Sequence, residues 1–405
     1  MGSNKKNDCS IWTRGFIFIN ICSAFSWLSI NMVNTTIAPY AVALGASSGV
    51  AGILSGFYYL SSFSIRPFSG ALGSRLNRRL LLFWTSAVWA LLDLLMALIP
   101  ANIILVLILR ALQGIGYSVA TTVSMTIAAD LLPQDRVGEG IGYFGLCQVF
   151  AQLVGPSVAL GLVDYMGYRP MFFISFAFRV FSTVMILALP SYKPVYAEKP
   201  KQKQGLSMND IIARESLLPA GVGMLFSILN GSLIAFLALY ANSLGIGSAG
   251  SFFIVNAIFM FFTRMLASRR ADGKSLASAA VSSGLLLIFS MLLLGVGRSR
   301  EFMLLSGIVF GVGYGLLLPV TQSRSVQAPP PERRNIGSNT YYIGIDIGFT
   351  FGNFFSGHLA QAVGYSNMFL FLIFPAAAAI GLALWKGRAS GETKRLVDKG
   401  DVSGS

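Results

Sequence analysis

Six charged residues stand inside long apolar stretches of the sequence, where their chemistry would act away from bulk water. Placing a charge in hydrocarbon costs roughly 3 kcal/mol on insertion scales, so such residues are candidates for function. A carboxyl group in a medium of low dielectric is suited to reversible protonation. The six are four arginines and two aspartates: Arg66, Arg110, Arg179, Arg264, Asp93 and Asp346.

The elements that must hold these residues are membrane-spanning helices. The chain has 405 residues, of which 54% are hydrophobic and 11% are charged, whereas a soluble domain averages about 25% charged residues. Residues 15–65 and 216–263 contain no charged side chain, and each stretch is long enough for two helices of about 20 residues. Because lipid cannot satisfy open backbone groups, the sequence predicts an all-α membrane protein.

Apolar runs separated by turn residues and charges predict twelve transmembrane helices. An even number of helices places both ends of the chain on the same side of the membrane. The predicted spans are 14–38, 49–69, 80–99, 103–124, 139–162, 170–190, 217–242, 249–267, 277–297, 302–323, 338–360 and 367–385.

The basic residues lie mainly in loops on one side of this predicted topology. Of the 30 Lys and Arg residues, 23 fall on the side of the two termini and three fall on the opposite side. The positive-inside rule therefore predicts that both termini are cytoplasmic. The formal net charge of +14 has the same origin. It does not indicate nucleic acid binding, because the basic residues form no continuous patch or arm.

A polar segment divides the predicted helices into two groups of six. Residues 1–190 form the first bundle, 191–216 a cytoplasmic linker, 217–386 the second bundle and 387–405 a cytoplasmic tail. The other loops are too short for a soluble catalytic domain, and the helices contain no cluster of nucleophile and base. One histidine and three cysteines without ligand spacing provide no metal site. The sequence therefore predicts neither an enzyme nor a bound cofactor.

The two bundles resemble each other in sequence when the chain is shifted by 197 residues. Parallel repeats related by an axis along the membrane normal suit alternating access around a site near the midplane. A scaffold or receptor gains little from such symmetry. The aligned pairs include Gly114 with Gly311, Tyr117 with Tyr314, Gly167 with Gly364 and, with one further residue of shift, Arg66 with Arg264.

Three short motifs accompany this repeat. The loop after the second segment reads Gly-Ala-Leu-Gly-Ser-Arg-Leu-Asn-Arg-Arg at 70–79. The fourth segment contains Arg-Ala-Leu-Gln-Gly-Ile-Gly at 110–116, which puts glycines beside a membrane-embedded arginine. In the fifth segment, small residues that include Gly145 and Gly155 form a smooth seam, and Pro156 permits bending.

These motifs resemble signatures of the major facilitator superfamily, and especially of its twelve-helix drug:proton antiporter branch, over roughly residues 14–390. The resemblance implies that Arg110 serves proton coupling and that the fifth segment marks an exporter. The competing interpretations are a structural arginine and ordinary helix packing.

The resemblance also implies a conformational latch in the loop motif, although Ser74 replaces its acidic residue. A basic loop that only sets topology is the alternative. The residues implied in conformational change are Arg66, Gly70, Arg75, Arg78, Arg79, Gly145, Gly155, Pro156, Arg264 and Asp272.

Exporters of this branch often carry an acid in the first helix, where this chain has asparagines. Asp346 is then the preferred titrating group, because the eleventh helix flanks the cavity in this family, and Asp93 is the second candidate. The alternatives are an Asp346 that pairs with an arginine for structure only and an Asp346 that faces water. The same resemblance places a substrate cavity among polar and aromatic residues: Asn31, Asn34, Gln113, Asn230, Tyr314, Tyr341 and Tyr342.

The sequence thus predicts a proton-coupled exporter of a small amphiphilic molecule or metabolite. It would work by alternating access, as a monomer in the cell membrane, and could confer drug resistance by efflux. Its partners would be the transported molecule, protons and the lipid bilayer. The alternative is an importer or facilitator of a small nutrient or organic anion, in which Arg110 would bind the charge of the substrate.

Overall fold

The computed structural model describes residues 11–98, 102–133, 136–190, 211–268, 275–330 and 333–389. Across these ranges the regular structure is helical, and none of the described residues forms a strand. Asp272, most of the predicted linker and most of the predicted tail lie outside the described residues. For Gly70 and Arg75 only the backbone, as part of a helix, is described.

The helices of the N-terminal half are α1 Arg14–Ala43, α2 Ser48–Arg75, α3 Arg78–Leu98, α4 Ile103–Asp130, α5 Val137–Met166 and α6 Tyr168–Leu187. A short 3-10 helix, Arg214–Ser216, precedes the C-terminal half. The helices of that half are α7 Leu217–Leu244, α8 Gly250–Ser268, α9 Leu276–Val296, α10 Arg300–Gln327, α11 Arg334–Phe371 and α12 Ile373–Ala389.

Nine stretches of the described residues are long and apolar enough to cross a bilayer. The last of them, Ile336–Trp385, contains α11 and α12 together. Several helix starts are capped by side chains that satisfy otherwise open backbone N–H groups. Thr13 accepts a hydrogen bond from the Phe16 amide at 3.2 Å, and Asn102 accepts from the Ile104 and Leu105 amides.

Some helices extend beyond the predicted apolar spans. The fourth span was predicted to end at 124, whereas α4 continues to Asp130, whose carboxylate forms an ion pair with Arg78. The eleventh span was predicted to begin at 338, whereas α11 begins at Arg334. Hydropathy detects only the part of a helix that faces lipid, so polar turns at the ends are missed. Asp346 consequently lies about 18 Å, at 1.5 Å per residue, from the start of α11.

The two halves repeat one pattern of helix packing. In the N-terminal half α1 packs on α5 and α6, α2 on α4, and α3 on α4 and α6. In the C-terminal half α7 packs on α11 and α12, α8 on α10, and α9 on α10 and α12. The halves meet where α2 packs on α11, α5 on α8 and α1 on α7.

Glycines allow the closest of these approaches. A methyl group on Gly114 of α4 would lie 2.0 Å from the Tyr58 carbonyl oxygen of α2. On Gly311 of α10 it would lie 2.2 Å from the Asn256 carbonyl oxygen of α8. Neither distance is sterically possible, so both helix pairs require glycine at the contact. Small residues that bring backbones together in this way are typical of helix packing in membranes.

Between the halves, the start of α2 lies against the later part of α11. The Gly49 amide donates to Gln361 Oε1 at 3.2 Å, and the Ser48 and Tyr365 hydroxyl oxygens are 2.8 Å apart. A methyl group on Gly52 would lie 2.5 Å from the Asn353 carbonyl oxygen. The halves are therefore tightly joined at the face of the bundle where α1 ends and α2 begins, which is called the loop face below.

Candidate functional site

A buried ion pair connects the two halves through α2 and α11. Arg66 Nη2 lies 2.6 Å from Asp346 Oδ2, and Arg66 Nε donates to the same oxygen at 2.8 Å. Ser62, one turn before Arg66, donates to it as well, at 2.8 Å. Arg66 is 3% exposed and Asp346 is 1% exposed, so the pair is shielded from water and strongly directional.

Only one of the two carboxylate oxygens of Asp346 carries these bonds. Within the described residues, Oδ1 is buried and has no hydrogen-bond partner. Two aromatic rings flank the guanidinium of Arg66, with Tyr117 on α4 at 5.7 Å and Tyr342 on α11 at 5.4 Å from the ring centroids. The arginine therefore contacts one helix of its own half and one helix of the other half.

A second set of charged residues lies wholly inside the N-terminal half. Asp93 on α3 accepts hydrogen bonds from Ser29 of α1 at 3.1 Å and from Gln113 of α4 at 2.8 Å. Arg179 on α6 places its Nε 3.6 Å from Asp93 Oδ2 and stacks its guanidinium 3.9 Å from the Trp89 ring. Asp93 thus ties four helices together.

Arg110 on α4 extends this set toward the boundary between the halves. It donates to Gln113 Oε1 at 3.0 Å and to Asn34 Oδ1 of α1 at 2.6 Å. Its guanidinium also lies 4.2 Å from the centroid of the Tyr58 ring. In the described part of the chain no carboxylate forms an ion pair with Arg110, which is 2% exposed.

Asn34 links Arg110 to the other half through Tyr59. The Asn34 side-chain amide donates to the Tyr59 hydroxyl at 3.1 Å. The Tyr59 ring stacks on Phe349 of α11, with ring centroids 4.5 Å apart and an interplanar angle of 14°. A continuous series of contacts therefore runs from Asp93, buried inside the N-terminal half, to α11 of the C-terminal half.

The charged residues of this N-terminal set are two arginines, Arg110 and Arg179, and one aspartate, Asp93. A buried charge without a counter-ion is costly and is retained where hydrogen bonds and aromatic rings substitute for one. Arg110 has the Asn34 and Gln113 carbonyl oxygens and the Tyr58 ring in this role. The set therefore has an electrostatic preference for one further anionic group.

The predicted cavity residues fall into two places. Asn34 and Gln113 lie with Arg110, as just described. Asn31 donates to the Trp27 carbonyl of its own helix at 2.8 Å. The others gather at α10 and α11: the Tyr314 hydroxyl is within reach of Asn230 on α7, the Tyr341 and Thr321 hydroxyl oxygens are 3.3 Å apart, and Gln322 donates to the Tyr342 hydroxyl at 3.2 Å.

Among the predicted conformational residues, Arg78 and Arg79 fix the start of α3. Arg78 pairs with Asp130 at the end of α4. Arg79 donates to the Ile186 carbonyl at 3.2 Å and to the Leu187 carbonyl, both at the end of α6. Open carbonyls at a helix end carry partial negative charge, which a cation stabilises.

The seam on α5 meets both α1 and α8. A methyl group on Gly155 would lie 2.8 Å from Asn31 Cβ on α1. Gly145 faces the other way, and a methyl group there would lie 3.4 Å from Arg264 Nη2 of α8. Pro156 lies inside α5, directly after Gly155.

Several residues of these sets carry no sequence signal beyond their presence in an apolar segment. Arg179 could be recognised as a membrane-embedded charge but matches none of the motifs. Ser29, Ser62, Tyr58, Tyr59 and Trp89 belong to no motif, and only the packing of the helices brings them to the arginines.

The described helices enclose buried charges and pack alike in the two halves, an arrangement that fits a membrane transporter. The family model of the Major Facilitator Superfamily matches residues 19–297 and again residues 220–402. The chain belongs to the Major Facilitator Superfamily, whose members are multi-pass membrane proteins that move small molecules.

Relatives of known name support this assignment. The chain is similar to the staphylopine export protein of Staphylococcus aureus, with 25% identity over 354 residues, covering 81% of this chain and 84% of the relative. It is also similar to the multidrug resistance protein MdtG of Enterobacter lignolyticus, with 26% identity covering 97% of each chain.

Solved structures show the same fold. A bacterial homologue of the human lysosomal transporter Spinster, in an inward-facing and unoccupied conformation, matches with a TM-score of 0.74 and 15% identity, covering 92% of this chain and 96% of that one. The human organic anion transporter MFSD10 matches with a TM-score of 0.71 and 16% identity, covering 91% and 98%.

Proposed function

We propose that the protein is a proton-coupled exporter of small amphiphilic molecules or metabolites. It would work by alternating access between two six-helix bundles, residues 1–190 and 217–386, within a twelve-helix fold. The observation that carries the proposal is the buried Arg66–Asp346 pair, which joins the two halves through a group that can bind a proton.

The twelve-helix, two-repeat arrangement is supported by conformation as well as by packing. Gly167, between α5 and α6, has φ 84° and ψ −179°, and Gly364 has φ 80° and ψ 164°. The two glycines stand at equivalent positions of the sequence repeat, and a positive φ of this kind strongly favours glycine. The non-helical Gly364 inside α11 would end one spanning helix, and the residues after it, together with α12, would form the next.

The ion pair suggests how protonation would be coupled to conformational change. While Asp346 is ionised, its attraction to Arg66 holds α2 against α11. When Asp346 binds a proton, Arg66 loses its counter-ion. A buried guanidinium without a counter-ion is costly, so a conformation in which Arg66 contacts water becomes more favourable. The two states would thus differ in their affinity for a proton, which is the requirement for a gradient to drive the change.

Export is supported by the named relatives, whose names describe export and multidrug resistance, and by the resemblance of the α5 seam to that of exporters. The alternative of an importer or facilitator of an organic anion is favoured by one observation. Arg179 pairs with Asp93, whereas no carboxylate among the described residues pairs with Arg110, which leaves a buried positive charge. In that case Arg110 would bind the substrate.

A transport experiment tests the proposal directly. Everted membrane vesicles that contain the protein are acidified inside by ATP hydrolysis, and uptake of ethidium, fluorescein and naphthoate is followed. At least one compound should accumulate in the vesicles, and a protonophore should abolish the accumulation. If uptake is insensitive to the pH gradient and only equilibrates the compound, a facilitator is the better assignment.

We further propose that the protein acts as a monomer in the cell membrane with both termini in the cytoplasm, from the distribution of basic loops. The loop face would then be the outer face. Because the halves are joined there, the conformation described would be closed to the outside.

A cysteine-labelling pair tests this orientation. In a variant without native cysteines, Ser248→Cys, in the exposed turn between α7 and α8, should react with an impermeant maleimide in intact cells. Gln202→Cys, in the predicted linker, should react only after the membrane is opened. Ser248 is preferred to its neighbour Gly247, whose φ of 87° disfavours any side chain. Labelling of Gln202→Cys in intact cells would reverse the orientation.

A further inference from the structure

Arg264 on α8 is a membrane-embedded arginine whose side chain pairs with no acid of the described residues. It is half-buried, and among the described residues it takes part in no ion pair or hydrogen bond. Its neighbours are uncharged: Tyr314 on α10 and Tyr341 and Tyr342 on α11 interact with it electrostatically. A charge in this setting is expected to have a functional partner.

The sequence repeat shows which partner is missing. Arg264 is the equivalent of Arg66, and α8 packs on α5 as α2 packs on α11. Tyr117, which flanks Arg66, corresponds to Tyr314, which lies beside Arg264. The two arginines therefore occupy equivalent places in two of the interfaces between the halves, α2 with α11 and α8 with α5.

The repeat does not conserve two residues that contact Arg66, namely Tyr342 and Asp346. With the shift of 197 residues, Tyr342 corresponds to Gly145 and Asp346 corresponds to Val149. Gly145 is indeed next to Arg264, since a methyl group there would lie 3.4 Å from Nη2. Val149 is one helical turn further along α5, on the same side of that helix. The interface of α5 with α8 thus has the arginine, but α5 carries neither the aromatic ring nor the carboxylate that α11 presents to Arg66.

We propose that Arg264 binds a carboxylate of the transported molecule, in the place that the Asp346 carboxylate takes beside Arg66. This inference rests on the proposed function as a transporter and adds the substrate class. With glycine at 145, no side chain of α5 covers the Arg264 guanidinium there. With valine at 149, α5 supplies no carboxylate for it, so a ligand carboxylate can make a paired, charge-assisted contact.

The surroundings of Arg264 also indicate the rest of the molecule. Tyr314, Tyr341 and Tyr342 are aromatic residues that also carry hydroxyl groups, and the Tyr341 and Tyr342 rings lie with centroids 5.6 Å apart. Such a lining suits an aromatic or otherwise flat apolar body. The substrate class is therefore an amphiphilic organic acid. Its carboxylate would lie on Arg264 of α8, at the interface with α5.

Thermal unfolding of the purified protein tests this without any dependence on transport direction or proton coupling. The probes are naphthylacetate, indoleacetate and N-acetylphenylalanine, each compared with its own primary amide. We expect at least one carboxylate to raise the apparent Tm of the wild type by about 3 °C or more at saturation, and its amide to have no effect.

Variants at the two equivalent arginines assign the effect to a position. Arg264→Gln should remove the shift produced by the carboxylate, and Arg264→Lys should retain part of it. Arg66→Gln, the matched control, should lower the Tm without ligand yet keep the shift. The proposal is overturned if no carboxylate stabilises the wild type, if acids and amides act equally, or if the shift survives in Arg264→Gln.

A variant with an acid at position 149, the equivalent of Asp346, provides an independent test of where the ligand binds. Val149→Asp places a carboxylate where the repeat predicts it, so it should pair with Arg264 and compete with the added acid. The ligand-induced shift should fall well below that of the control Val149→Asn, which has the same shape without the charge. Equal shifts in the two variants would contradict the proposed place of binding. Failure of vesicle transport with intact carboxylate binding would refute the exporter proposal alone.

Discussion

Asp346→Asn is expected to abolish accumulation of the exported compound against its gradient while leaving energy-independent exchange intact. Asparagine has the shape of the protonated acid but can never ionise, so it fixes the coupling group in one state. The Arg66 guanidinium then lacks its counter-ion in a site where it is 3% exposed. Breaking a buried pair by removing one partner costs about 3–5 kcal/mol, so the joined state of α2 and α11 should be depopulated.

Two measurements separate coupling from damage to the fold. Uptake into vesicles driven by a pH gradient should fall to the equilibrium level. Counterflow of labelled compound should stay within about twofold of wild type, which corresponds to a change of about 0.4 kcal/mol or less in the barrier to exchange. The apparent Tm should fall. The double variant Arg66→Gln/Asp346→Asn should recover much of that stability, because it leaves no lone buried charge, but should remain uncoupled.

The conservative replacement Asp346→Glu supplies the positive control, since it keeps a titratable carboxylate and should retain part of the uphill transport. Continued accumulation against the gradient in Asp346→Asn would show that Asp346 is not the coupling group. Asp93, the second candidate from the sequence and 1% exposed, would then be the next residue to replace.

Arg110→Ala is expected to lower transport by at least roughly 100-fold with normal amounts of protein in the membrane. The substitution removes charge-assisted hydrogen bonds to Asn34 and Gln113 and the contact with the Tyr58 ring. Hydrogen bonds to charged groups contribute about 1.5–3 kcal/mol each, so the loss of two is sufficient for that factor at about 1.4 kcal/mol per tenfold. The link from α4 through Asn34 to Tyr59 would be lost as well.

Initial rates in vesicles, corrected for the amount of protein, measure this effect. Arg110→Lys should restore only part of the rate, because lysine keeps the charge but lacks the planar fork that reaches Asn34 and Gln113 together. The comparison variant is Arg179→Gln, an equally buried arginine on the far side of Asp93. It should lower thermal stability with a smaller loss of rate. Wild-type activity in Arg110→Ala would make this arginine a structural one.

The sequence by itself determined the helical, membrane-embedded character of the chain. Charge-free stretches such as 15–65 cannot be covered by polar surface, and lipid leaves helices as the form that satisfies their backbone. It also determined which side chains would be costly in the membrane, since an arginine or aspartate within an apolar run is visible without any coordinates. The matched glycines at 167 and 364 are also visible in the sequence, and both have a positive φ that favours glycine.

Only the tertiary structure decided which of these residues act on one another. Arg66 and Asp346 are 280 positions apart, and the sequence assigned them to different roles, one to a latch and one to coupling. Their union depends on how α2 meets α11. In the same way, only the structure shows that Arg110 donates a hydrogen bond to Asn34 and that Arg264 lies beside Gly145, with no hydrogen bond or ion pair to any described residue. Hydropathy and spacing fix the depth and face of a side chain along its own helix. The partner across an interface depends on the packing of helices from distant parts of the chain, which local sequence does not encode.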